Sequence, residues 1–414
     1  MSSVVWRGLF AAALMGATHS ASANVITDWN EKAAAVVRQL PLDNTGLYRS
    51  ARMMGMVHAA MFDAVNSIER RYRPYLTQLP ADPATSKEAA AAAAAAAVLA
   101  IIDAKTAGEM KTTLAAYLAP IPDGAAKSDG IKVGEAVAAK LLEVRVNDGS
   151  DAPDAYRPRT TPGVYVPTAI TLGSMWHNVK PFAIAAGSQF RPGPPISLDS
   201  NEWATDYNEI KDVGRVNSTT RTAQQTETAR FWLAPSPPIY MTFLRKLVTA
   251  KQMTVLDSAR FMALMMIALN DALIASVDAK YHYEFWRPIT AIRNGDIDGN
   301  PATDREATWQ PITATPMHPE YPCAHCIASG TVAGVVKALL GTMDIPEIAD
   351  TSPTAPGITH RWTNMTAYTE EVANARIWAG FHYRFSTRVG TDMGLQIGEY
   401  VVKNVMRPIA PASQ

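Results

Sequence analysis

A chain of 414 residues has room for one large domain or two moderate ones, and 48% apolar against 18% charged residues supplies a packed core and excludes a long disordered tail. Thirty-eight basic residues balance 38 acidic ones, so no global positive field exists to draw in nucleic acid or an anionic membrane, and any anion binding must be local. The two cysteines, Cys323 and Cys326, exclude a disulfide framework and confine thiol chemistry to one spot.

Residues 1–23 carry one early charge at Arg7, an apolar run from Leu9 to Met15, and Ala21-Ser22-Ala23 before Asn24. That is the pattern of a cleavable export signal, with a short buried first helix as the alternative, and it predicts a periplasmic or secreted protein of residues 24–414. Next, Met53, Met56, Val57, Ala60, Met61 and Ala64 give the apolar stripe of an amphipathic helix. His58 and Asp63 fall on its other faces, where such residues are solvated or satisfied locally, and take no role. Ala89–Ala97 is helix rather than linker, because alanine has the best helix propensity. Val137, Ala138, Leu141, Leu142 and Val144 form another core stripe, closed by Asn147-Asp148-Gly149. Residues 151–195 are rich in Pro, Gly and Thr, punctuated by Tyr156, Tyr165, Trp176 and Phe182. Aromatics of that density point to a packed irregular excursion within one all-α domain of helical bundles, in which it forms part of the wall of a site. No alternating run argues for a sheet. No stretch after the leader offers the about 20 uninterrupted apolar residues of a membrane span, and Phe261–Leu269 reads as a central core helix.

Three later segments carry groups suited to an anion. On a helix continuing through residue 287, Lys280 and Arg287 would share a face about 10 Å apart, and Pro288 would end the element there. Pro322 precedes the stripe Val332, Val335, Val336, Leu339, which places Cys323, Ala324 and His325 at a helix start with its exposed N–H groups and positive dipole end. An imidazole there can move a proton with little tuning. In Arg376-x5-His382 the two side chains would lie about 120° apart on an unbroken helix, so joint action requires a break near Gly380.

Taken in order, Lys280-x6-Arg287-Pro288, Pro322-Cys323-Ala324-His325 and Arg376-x5-His382 resemble the signature of the vanadium-dependent haloperoxidases and type 2 phosphatidic-acid phosphatases, most convincingly over 272–390. Glu284–Pro288, Ala291-Ile292-Arg293, Asp298–Thr303 and His318–Pro322 also look like the bacterial haloperoxidase branch. The resemblance implies that Lys280, Arg287 and Arg376 hold the equatorial oxygens of vanadate or phosphate. It further implies that Cys323 and Ala324 occupy the anion-binding turn, that His382 supplies the apical nitrogen, and that His325 is the general acid/base. Hydrogen peroxide, a halide and a small organic acceptor are the implied partners of a haloperoxidase, and a phosphomonoester attacked by His382 that of an acid phosphatase. His318 stands where bromoperoxidase relatives carry histidine, which favours bromide or iodide. The sequence is compatible with a homo-oligomer and fixes no subunit number.

The chain departs from the family where serine and glycine are replaced by Cys323 and Ala324, and where Ala375 replaces the serine before the last arginine. A thiol is a weaker donor than a hydroxyl. Cys323 and Cys326 are spaced for a disulfide or can persist as two thiols, and both states remain open. Two further readings remain: a zinc or copper module using His318, Cys323, His325 and Cys326, and a degenerate oxyanion-binding protein without turnover.

Overall fold

The computed structural model describes residues 24–409 apart from 41, 42, 44, 168 and 235–237. The proposed export leader, 1–23, lies outside the described residues. Thirteen α-helices account for most of the described chain. They are α1 Val25–Val37, α2 Gly46–Glu69, α3 Lys87–Leu99, α4 Ala104–Leu118, α5 Ala125–Glu143, α6 Asn201–Val213, α7 Ala223–Phe231, α8 Pro238–Ala250, α9 Val255–Tyr283, α10 Pro288–Arg293, α11 Ala324–Leu340, α12 Met365–Trp378 and α13 Arg384–Asn404. The fold is all-α, as its sequence predicts.

Local chemistry sets the helix starts. Ser86, Thr254 and Asn364 cap α3, α9 and α12 by accepting the N–H of Ala89, Asp257 and Thr366, which satisfies donors that a helix cannot use internally. Around α9 the helices gather in two groups: α2 packs along it on the N-terminal side, and α11 and α13 pack along it and each other on the C-terminal side. Asn270 and Asp271 interrupt the apolar run of α9, as expected, and although the helix could cross a membrane by length and composition, 94% of its apolar window is buried inside the protein. Phe261–Leu269 is, as expected, fully buried core.

The α2 stripe is buried throughout, and so are the two polar residues on its other faces. His58 Nε2 lies 3.0 Å from Asn30 Nδ2, and Asp63 accepts the N–H groups of Tyr75, Leu76 and Thr77 at 2.7–2.9 Å. Neither is solvated, because both lie in the 53–68 stretch of α2, which is buried on all sides, whereas water reaches the helix nearer its start at Arg49. The α5 stripe ends one residue earlier than its pattern predicts: Val144 caps the helix and is 43% exposed.

A two-stranded antiparallel hairpin, β1 Asp344–Ser352 and β2 Ala355–Asn364, contradicts the expectation of no sheet. Pro346, Pro353 and Pro356 interrupt its sequence, and its buried positions mix the apolar Ile345, Ile348, Ala355 and Trp362 with the polar Asp350 and Ser352, so no apolar alternation betrays it.

The 151–195 segment contains no α-helix among its described residues. It is pinned where Asp271 of α9 accepts the N–H groups of Phe182, Ala183 and Ile184, and where Tyr281 donates to Leu172 O at 2.9 Å. Tyr165, Trp176 and Phe182 are buried, as packed aromatics should be.

Candidate functional site

Lys280 lies in the last turn of α9, which stops at Tyr283 because Glu284 takes the left-handed conformation (φ 49°) and returns its N–H to Lys280 O. The continuous helix expected through Arg287 is therefore absent. Residues 285–287 are extended, with Trp286 N–H on Gly163 O and Tyr165 N–H on Glu284 O at 2.6 Å. Pro288, expected to end a helix, begins one: it is the first residue of α10 and holds Arg287 in the extended region (φ −75°, ψ 153°) as its N-cap. Lys280 and Arg287 thus converge through a turn rather than along one helix face.

The second segment follows its prediction. Cys323 is the N-cap of α11, so Ala324 and His325 occupy the first helical positions, where backbone N–H groups lack intrahelical acceptors. Cys323 and Cys326 are joined as a disulfide, and Cys323 Sγ accepts the Cys326 N–H at 3.2 Å. With both sulfurs committed, the zinc or copper module loses two of its four ligands, and no group of three or more His, Cys, Asp or Glu able to hold a metal ion occurs among the described residues.

In the third segment the required break is present. Helix α12 ends at Trp378, and Gly380 follows at φ 81°, where a Cβ would also run into the carbonyl of Gly214. The reversal brings the N–H of Phe381 and of His382 back toward Arg376 O, at 3.1 and 3.4 Å, and turns His382 to the side where Arg287 lies.

These elements bring Lys280, Arg287, Arg376, His318, His325 and His382 into one electrostatic neighbourhood. Lys280, Arg287, Arg376 and His382 are all buried, and His318 and His325 are partly exposed. Arg287 donates from Nε to His318 O at 2.8 Å and from Nη1 to Phe381 O at 3.0 Å, while Nη1 faces His382 Nε2 at 3.2 Å and Nη2 faces His318 Nδ1 at 2.9 Å. Arg376 donates to Trp232 O at 2.8 Å and lies over the Phe381 ring, and its buried Nε has no hydrogen-bond partner among the described residues. His325 Nε2 meets Ala234 O at 3.2 Å. Lys280 departs from its implied part: its ammonium donates to Pro319 O, Glu320 O and Pro322 O at 2.9, 2.8 and 2.6 Å, so three backbone carbonyls use its three donors.

Burial dominates the titration of every group here. It lowers the Lys280 ammonium well below its usual range, with the Arg287 charge adding to the effect. Burial brings Arg287 down to about 10, and burial followed by the Arg287 charge brings Arg376 down to about 9. His318, His325 and His382 are pushed well below the ordinary imidazole range, by burial first and then by the neighbouring cations, chiefly Arg376 for His325 and Arg287 for the other two, which keeps all three neutral. Facing Lys280 and Arg287 is Glu320, pushed up to about 7 by burial against the opposing pull of those two cations. Sequence reasoning passed over Glu320, although a carboxylate within His318-Pro-Glu-Tyr-Pro322, beside so many basic groups, was the signal that could have found it.

Residues 260–411 match the family model of the second helical-bundle domain of vanadium chloroperoxidase. The vanadium chloroperoxidase of Curvularia inaequalis is 29% identical over 36% of this chain, a match that spans 29% of that enzyme's length. Among solved structures, a bacterial vanadium-dependent iodoperoxidase superposes with a TM-score of 0.78 at 20% identity, covering 94% of this chain and 98% of the other. An apo-type bacterial vanadium-dependent chloroperoxidase gives 0.70 at 16% identity, covering 88% and 94%. At such identities the superpositions speak for the fold alone, and they extend it over nearly the whole chain. Residues 260–411 are thus similar in sequence to the second helical-bundle domain of vanadium chloroperoxidase, and the chain shares the fold of the bacterial vanadium-dependent haloperoxidases over nearly its whole length.

Proposed function

We propose that this protein is a vanadate-dependent haloperoxidase that uses hydrogen peroxide to oxidise halide, with bromide or iodide favoured. The observation that carries the reading is a surplus of buried positive charge: Lys280, Arg287 and Arg376 lie together, and among the described residues the carboxylate of Glu320 faces Lys280 and Arg287. Desolvated cations of one sign repel each other, and a highly charged oxyanion relieves that repulsion. The buried hydroxyls of Tyr165 and Tyr383, both electrostatic neighbours of Arg287, and Arg376 Nε have no partners among the described residues, which favours a polar guest in the same place.

The residues fit vanadate in three respects. Arg287 and Arg376 supply guanidinium donors, the start of α11 supplies backbone N–H groups, and His382 presents a neutral ring nitrogen. They depart from the family pattern at Cys323, whose sulfur sits in a disulfide and offers no hydroxyl, and at Lys280, whose donors lie on carbonyls. Lys280 therefore acts as a buried charge that also holds the 319–322 turn in place. Vanadate, once bound, would supply Lewis acidity toward peroxide. His325, with Nε2 held on Ala234 O, keeps Nδ1 as the atom that accepts and returns a proton, and its neutrality suits it to begin as a base. His318 acts on halide selection through the Arg287 guanidinium it lies against.

The phosphatase reading uses the same groups, with a phosphomonoester in place of vanadate and His382 as nucleophile. Reconstitution with orthovanadate, followed by peroxide-dependent oxidation of bromide and iodide, tests the first reading. Absence of halide oxidation with phosphomonoester turnover intact replaces it by the second, and binding of orthovanadate and phosphate without either turnover leaves a degenerate oxyanion binder. An exported location is part of the proposal, and the disulfide supports it, since such bonds persist in oxidising compartments.

A further inference from the structure

Glu320 is buried, and its carboxylate is met by donors from the α12–α13 connection. His382 Nδ1 lies 2.8 Å from Oε1, the N–H of Tyr383 donates to the same oxygen at 3.1 Å, and the Ser386 hydroxyl sits beside the group. On the other side of the imidazole, Arg287 Nη1 faces Nε2 at 3.2 Å. A guanidinium can only donate, so Nε2 must accept. An imidazole that accepts at Nε2 and is neutral must carry its proton on Nδ1, and the atom that receives that proton's hydrogen bond is Glu320 Oε1. The donors thus define one tautomer without ambiguity.

We infer that Glu320 is a positioning residue of the site: its carboxylate fixes His382 as the Nδ1–H tautomer and keeps the Nε2 lone pair turned toward the bound oxyanion. The inference deepens the proposed function and rests on it for the identity of the guest. Backbone bonds of Glu320 run elsewhere: its N–H goes to Phe285 O and its carbonyl receives Lys280 Nζ. Replacing the side chain leaves both in place, so the turn that carries Lys280 should survive the substitution.

Two opposing effects make the test selective. Removing the carboxylate takes away a negative charge that repels any anion in the site, which strengthens binding of phosphate and vanadate alike. Losing the tautomer weakens only the guest that takes up the nitrogen lone pair. A carboxylate behind a ligating histidine contributes about 10- to 100-fold to metal affinity. In Glu320→Ala the ratio of orthovanadate to inorganic phosphate affinity should therefore fall at least about tenfold, whatever the change in phosphate binding itself. Glu320→Gln, whose amide oxygen can still accept from Nδ1–H, should keep most of that ratio.

The experiment combines calorimetric titration of the full protein with each anion and long-range proton–nitrogen spectra of histidine-labelled protein. With eight histidines in the chain, the His382 signals can be identified by their loss in His382→Gln. The expected wild-type pattern is a protonated Nδ1 and a bare Nε2, retained in Glu320→Gln and lost or averaged in Glu320→Ala. A wild-type His382 protonated on Nε2, or an unchanged pattern in Glu320→Ala, overturns the inference, and the wild-type spectrum decides even if a variant fails to fold. If the wild type binds neither anion, the proposed function falls while the spectra still judge Glu320.

Discussion

The alanine-lined bundle of α2, α3 and α5 and the cationic site between α9, α11 and α12 are both nearly dry, yet they are held by opposite means. In the bundle, Ala89–Ala96 of α3 are at most 4% exposed, and Gly134 lets α5 approach so closely that a Cβ there would run into the carbonyl of Ala90. Close packing of small side chains holds most of that region. At the site, Lys280, Arg287, Arg376 and His382 are equally buried, and the charges of the three cations are only partly offset by Glu320 and by backbone carbonyls. One region gains stability from burial, and the other spends it on holding like charges together for a guest.

That contrast can be broken most sharply at the cations. Arg287→Ala or Arg376→Ala should weaken orthovanadate and phosphate binding by about 2–5 kcal/mol, the cost of losing a buried charge partner, as read by calorimetry. Unchanged affinity in both variants would remove the anion pocket from the proposal. With the repulsive charge gone, neither variant should lose comparable thermal stability in the absence of anion.

In the bundle the sign reverses. Gly134→Ala should cost about 1–3 kcal/mol in denaturant unfolding without touching anion affinity, because the added methyl group meets backbone rather than a flexible side chain. A stability unchanged within error would mean that α3 and α5 are not in such close contact.

His58 sharpens the comparison through pH. Burial depresses its imidazole from 6.5 to about 3, so the folded state resists a proton that the unfolded chain accepts. Its stabilising contribution is complete above pH 6.5 and is lost progressively as pH falls toward 3, reaching about 2 kcal/mol by pH 5. His58→Gln should flatten that acid limb, as followed by melting temperature against pH, and an identical limb in the variant would assign acid sensitivity to other groups.

The smallest effect expected belongs to the Cys323–Cys326 bridge. Loop closure over so short a separation is worth about 2 kcal/mol at most, so Cys326→Ala or thiol reductant should lower the melting temperature only modestly. Cys323→Ser in the Cys326→Ala background restores a hydroxyl at the N-cap of α11, and stronger vanadate binding is the expected outcome.

Periodicity and spacing made the helices legible, since an apolar stripe declares its own geometry. The same holds for the second and third signature segments, because Pro322 and Gly380 impose the expected local conformation, whereas Pro288 opens α10 instead of closing α9. Chain pairing was not legible for the β1–β2 hairpin, whose strands make sense only against each other. His58 and Asp63 make hydrogen bonds, as such residues should, but their partners were not legible: a helix pattern reports its most apolar side, and only neighbouring elements reveal that residues 53–68 of α2 are buried all round.

For the site, the sequence by itself determined which cations and imidazoles are present and, at Gly380, where the backbone must break to present His382. Tertiary structure decided who faces whom: that Arg287 reaches Lys280 through a turn, that Lys280 spends its donors on the 319–322 carbonyls, and that Glu320 stands behind His382. Bond geometry acts within a few residues and can be read along the chain. Desolvation and charge repulsion act through space between segments 39 to 95 residues apart, and they take effect only once folding has brought those segments together.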